Sequence, residues 1–82
     1  MQLDAHDLHT EFPEFGDRIH AMKLSNNHFS RLFDEYHVVN RHVQRIELQA
    51  EVATDSALEE LKKDRLRLKD ALYSMLQAAQ PA

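Results

Sequence analysis

Apolar residues in the first half of the chain return in alternating steps of four and three. Phe15, Ile19, Met22, Asn26, Phe29, Phe33, Tyr36, Asn40 and Val43 fall on one line along a helix. That is the heptad spacing by which one helix seats against another. A second line, Leu32, Tyr36, Val39, Val43, Ile46 and Ala50, shares Tyr36 and Val43 but is rotated to one side. A face this broad meets two neighbours rather than one.

The pattern predicts a long first helix over about residues 13–50. Pro13 suits the first helical position, where its missing N–H costs nothing, and Glu14 and Asp17 complement the helix dipole. Gly16 weakens the start slightly, and Ser25-Asn26-Asn27 is a soft point where the helix bends or breaks. Between Glu51 and Ser56 the periodicity stops. Thr54, Asp55 and Ser56 are three N-cap candidates in a row, Ser56 having Glu59 at capping-box distance. A second helix follows over about residues 55–79. Its seam is Leu58, Leu61, Arg65, Leu68, Leu72, Met75 and Ala79, widened by Leu66, Tyr73 and Leu76. Glu59 is placed to reach Lys63, and Arg67 to reach Asp70.

Residues 1–12 are polar and contain His6 and His9, with Leu3, Leu8 and Phe12 as apolar anchors. They form at most a short helical turn. The expected fold is therefore all-α: one antiparallel two-helix hairpin domain with coiled-coil character and a long first helix. At ~1.5 Å per residue the first helix is ~55 Å long and the second ~36 Å. The front of helix one then overhangs the hairpin. The overhang runs from Phe12 to Met22. Phe12, Phe15, Ile19, Met22, Phe29 and Phe33 are the candidate partner or self-association surface, while Phe29, Phe33 and Tyr36 are expected first of all to pack as core against Leu68, Leu72 and Met75. The overhang is covered by the N-terminal segment, by a second copy of the chain, or by a helix of another protein.

Composition narrows the functional classes. The chain has 82 residues, one glycine and no cysteine. Disulfides, thiolate metal sites and a cysteine nucleophile are excluded, and a reducing, cytoplasmic setting is expected. A core this small is thin without regular helix packing or oligomerisation. The net charge of −4 argues against general phosphate binding. No apolar run reaches the roughly 20 residues that span a bilayer, and the start lacks a secretion signal.

Several blocks, in order from Phe12 to Leu76, resemble the YdcH-like family of small bacterial proteins of unknown function. They are Phe12-Pro13-Glu14-Phe15 with Ile19, Phe29-x-x-Leu32-Phe33-Asp34-Glu35-Tyr36-His37, and Arg45-Ile46-Glu47. The last is Leu58-Glu59-x-Leu61-Lys62-Lys63-x-Arg65-Leu66-x-Leu68-Lys69-Asp70. The resemblance implies a helical hairpin with coiled-coil character and supplies no catalytic or binding residues. Tyr36 stands where that family commonly has His. Such proteins are sometimes labelled GTP-binding, yet this sequence has no GxxxxGK[ST] loop, and one glycine cannot build a phosphate cradle.

The remaining chemistry-bearing residues point to no site. His6 and His9 share a helical face, but no third ligand completes a zinc set. His20, His28, His37 and His42 do not cluster and are expected at surface or rim positions. Asn26 and Asn40, two heptads apart, either fix register as buried seam residues or face solvent. Asp34-Glu35 and Glu59-Glu60 point about 100° apart on a helix and cannot converge as an acid–base pair. None of the six Ser and Thr residues lies in a nucleophile elbow. No catalytic, cofactor or metal residue is expected. The expected function is a helical interaction or self-association module, with a homodimer or another helical protein as partner. The alternative is weak nucleic-acid binding through the basic stretch Lys62–Lys69, whose bland reading is a salt-bridged, solvated face.

Overall fold

The computed structural model describes residues 7–79, and all their regular structure is helical. The elements are α1 (Leu8–Glu11), a 3-10 turn (Pro13–Phe15), α2 (Gly16–Ser25), α3 (Asn27–Glu47) and α4 (Asp55–Ala78).

The long first helix is divided at Asn26. This residue is extended, with φ −133° and ψ 106°, and its side-chain oxygen accepts from the Phe29 N–H at 3.0 Å. An asparagine on the seam thus caps α3 instead of continuing the helix, because its short amide competes with the backbone for local donors. On the other side, Ser25 Oγ donates back to the Ala21 carbonyl in the last turn of α2. The molecule measures 46 Å along its longest axis, shorter than the ~55 Å a straight helix over residues 13–50 needs.

At its other end α3 stops at Glu47, not near Ala50. The Ala50 N–H bonds the Arg45 carbonyl and the Gln49 N–H bonds the Ile46 carbonyl, the paired closure of a Schellman motif. Gln49 takes the left-handed position with φ 62°. Thr54 is the residue that caps α4, accepting from the Ala57 N–H at 3.0 Å.

Helices α3 and α4 run in opposite directions. Glu47 pairs with Lys62 and Asn40 with Arg65, so descending numbers on one meet ascending numbers on the other. Helix α2 turns back along α3 from Asn26. Lys23 lies over the Phe33 ring, and further toward the N-terminus Leu8 reaches His37. Arg18 ties α2 to α4 by donating to the Leu76 carbonyl at 3.2 Å.

One core cluster joins all four helices: Leu8, Ile19, Phe29, Tyr36, Leu68, Leu72 and Leu76 are buried together. Each such side chain contributes about 1.5–3 kcal/mol by leaving water. Phe12, Phe15, Met22, Leu32, Phe33, Val39 and Met75 pack around it, and Val43 is buried toward the α3–α4 loop. Leu66, expected to widen the α4 seam, is instead 54% exposed.

Candidate functional site

The six residues expected to form an interaction surface are all drawn toward the chain's own core. Ile19 and Phe29 are fully buried, and Phe12, Phe15, Met22 and Phe33 pack at its edge. The break at Asn26 brings this about: it swings α2 back, so no overhang remains. Phe12 and Phe15 meet Tyr73 of α4 at ring separations of 5.1 and 5.8 Å.

The best-developed polar constellation lies where α1 crosses α3 and α4. His37, expected at the surface or rim, is buried there. Its Nδ1–H donates to the Phe33 carbonyl at 2.9 Å, one helical turn back. Its Nε2 lies 3.2 Å from the Leu8 N–H and 2.7 Å from Asp7 Oδ1. Both the Leu8 N–H and the Asp7 carboxylate converge on this one nitrogen, so His37 ties the start of α1 to α3. Asp7 precedes α1 without capping it by its side chain, because that carboxylate is turned to His37. Glu11, at the end of α1, accepts from Lys69 Nζ at 3.0 Å.

Next to this clamp is a small pocket of about 150 Å³, lined by Glu11, Tyr36, Lys62, Arg65, Leu66 and Lys69. Burial, helped by the Glu11 carboxylate, pushes the Tyr36 phenol up to about 12. It stays neutral at physiological pH and cannot serve as a base. Arg65 donates to Asn40 Oδ1 at 2.9 Å. Asn40 is the buried seam asparagine, and its Nδ2 has no partner among the described residues. Asn26 is the cap described above, so the two asparagines do not act as a pair.

The basic stretch is engaged throughout. Lys62 meets Glu47, Lys63 meets Glu60, Arg67 meets Asp64 and Lys69 meets Glu11, while Arg65 holds Asn40. The expected partners Glu59 for Lys63 and Asp70 for Arg67 are replaced by acids three residues before each cation. Phosphate binding here would have to displace contacts the fold already makes. Among the described residues no three His, Cys, Asp or Glu gather as a metal site; His6 lies outside them. Nor is any helix among them long and apolar enough to cross a membrane.

A third polar knot fastens the α3–α4 loop. Glu51 accepts from Arg45 Nε at 3.0 Å and meets His42 Nε2 at 2.6 Å. The hydrogen bond from Arg45, then that from His42, holds its carboxyl below the usual carboxylate range.

The clamp residues were hard to find in sequence because their partners are far apart: 29 positions separate Leu8 from His37, and 58 separate Glu11 from Lys69. The one available signal was the position of His37 beside the seam residue Tyr36 and one turn after Phe33.

Comparison with known proteins places the sequence in a family. A profile described as "Protein of unknown function (DUF465)" matches residues 29–76, which span most of α3, the loop and most of α4. The protein named "Uncharacterized protein YdcH" in Escherichia coli (strain K12) is 32% identical over 66 residues, covering 80% of this chain and 89% of that protein. The chain belongs to the DUF465 family. A protein of the same name in Shigella flexneri matches to the same extent. The family profile begins at Phe29 and ends at Leu76, both buried in the shared core. Helices α1 and α2 lie before that stretch. No solved structure matches the chain.

Proposed function

We infer that the chain is a protein–protein interaction module that acts by self-association. The observation that carries this reading is the apolar surface left after folding. Leu24, Val38, Leu48, Val52 and Leu66 are large apolar residues exposed by 54% to 97%. They are distributed over α2, α3, the α3–α4 loop and α4, and each leaves apolar area that a second copy could cover. The described polar groups support the same reading: they clamp helices to one another and do not converge on a reacting position. The absence of cysteine supports a cytoplasmic setting.

Sedimentation equilibrium over a wide concentration range at neutral pH tests this. A reversible monomer–dimer equilibrium is the expected result. A chain that stays monomeric at the highest concentrations reached would overturn it.

A further inference from the structure

We propose that the segment before Asn26, α1 and α2 together, is an arm that exchanges between two copies of the chain. The closed monomer folds the arm onto its own α3 and α4. In the dimer each arm packs in the same way onto the other copy. The proposal rests on the self-association reading for its partner, a second copy, and places the interface in the arm–body contacts rather than in the exposed apolar residues.

The hydrophobic pattern runs through the hinge without interruption. Phe15, Ile19, Met22, Asn26, Phe29 and Phe33 keep heptad spacing across the break. A single extended residue, Asn26, separates α2 from α3. Moving residue 26 into the helical region would merge the two into one straight helix and carry the arm away from its own body.

Local hydrogen bonding favours that move. In the closed form the Phe29 N–H, at the start of α3, donates to the Asn26 side-chain oxygen. A continuous helix would give the N–H groups of Asn27, His28 and Phe29 backbone acceptors four residues back. The closed form offsets this by covering the arm within one chain, at no cost of association.

The arm's contacts are self-complementary by construction. Leu8 and Ile19 are fully buried by the rest of the fold. Asp7 meets His37, Glu11 meets Lys69, and Arg18 meets the Leu76 carbonyl, each pair joining arm to body. An arm from a second copy presents the same groups to the same sites, related by a two-fold axis. Exchange of identical elements across a short hinge is a low-cost route to a dimer. A foreign helix has no such guarantee of fit.

Two substitutions at the hinge act in opposite directions. Asn26→Leu removes the cap and places a helix-forming apolar residue on the seam. It should shift the monomer–dimer constant about tenfold or more toward dimer. Asn27→Pro puts proline at the first position of α3, where it is tolerated, and holds residue 26 extended. Its ring also blocks a continuous helix, so this variant should remain monomeric.

Exchange is read directly by cross-linking, because the chain has no native cysteine. Full-length Glu11→Cys and Lys69→Cys chains are mixed and treated with a short bismaleimide, in the wild-type, Asn26→Leu and Asn27→Pro backgrounds. Products joining position 11 of one chain to position 69 of the other, abundant with Asn26→Leu and missing with Asn27→Pro, are the expected result. An Asn26→Leu chain that is monomeric at wild-type helicity overturns the exchange. If that variant loses helicity, Asn26→Ala takes its place under the same criterion. Dimers in Asn27→Pro, or dimers without the 11–69 product, overturn the exchange but leave self-association standing. Monomers in all three backgrounds overturn both.

Discussion

Asn40 is fully buried on α3, and only one end of its amide is satisfied. Its oxygen accepts from Arg65, whereas Nδ2 has no partner among the described residues. An unmet buried donor is costly, so the Arg65 bond is what keeps this position tolerable. Replacing Arg65 by Met keeps much of the aliphatic stem but strands the whole amide. We expect R65M to lower stability by about 1–3 kcal/mol in urea unfolding. Adding Asn40→Val removes the stranded group, and the double variant should recover most of that loss. Simple additivity of the two substitutions would show that the bond carries no such weight.

Among the elements, the chain's backbone choices at two positions run against ordinary preference. Gly16 sits at the start of α2 with φ −50° and ψ −52°, and a Cβ there would meet nothing within 4 Å. Glycine brings freedom that this position does not use, so Gly16→Ala should stabilise by about 0.4–1 kcal/mol. Gln49 occupies the left-handed site that closes α3, with φ 62°. Most side chains pay there, and Gln49→Gly should stabilise by up to about 1 kcal/mol. Thermal melts followed by circular dichroism check both, and a fall in Tm for either would contradict the backbone argument.

The loop after Gln49 responds to acid through Glu51. Its carboxyl titrates below its ordinary 4.5 because Arg45 and His42 hold the ionised form. A lowered folded value means the contribution is fully present above 4.5 and is lost as pH falls through the lowered value. Glu51→Gln should therefore lower Tm at neutral pH, and the gap to wild type should close in acid. A gap that persists unchanged at low pH would mean the knot does not act through this charge.

These elements also show how much could be read in advance. Helix α4 was legible as an element from its regular seam, but its start was not, since Thr54, Asp55 and Ser56 were all cap candidates and Thr54 is the one that caps. The break at Asn26 was legible only as a soft point. Heptad spacing reports which residues share a face, and two helices folded at a one-residue hinge keep the same spacing as one straight helix. Leu8 was legible as an apolar anchor of a segment that could fold back, but its partners were not, since they depend on His37 and on the core that α3 and α4 build together. The apolar run of the expected surface shows in sequence only that these residues need cover, not what covers them. What covers them in the monomer was decided by a single asparagine's choice between seam and cap.

At the scale of the whole molecule, the proposed arm exchange ties stability to concentration. A closed monomer unfolds to one chain, so its Tm is independent of concentration. An exchanged dimer unfolds to two chains, so mass action raises its Tm as protein is added. The net charge of −4 opposes the approach of two copies, and salt screens that repulsion. Wild-type Tm should therefore rise with concentration, and at a fixed intermediate concentration salt should raise the dimer fraction. Asn27→Pro removes the exchanged state but keeps the charge and the exposed apolar residues, so a Tm independent of concentration in this variant assigns dimerisation to the arm rather than to the outer surface. Scanning calorimetry over a hundredfold concentration range, on the order of 3 kcal/mol of mass action, has the reach to separate these behaviours. A flat wild-type response would mean that the arm stays closed, and a rising response in Asn27→Pro would mean that copies meet through the outer surface instead.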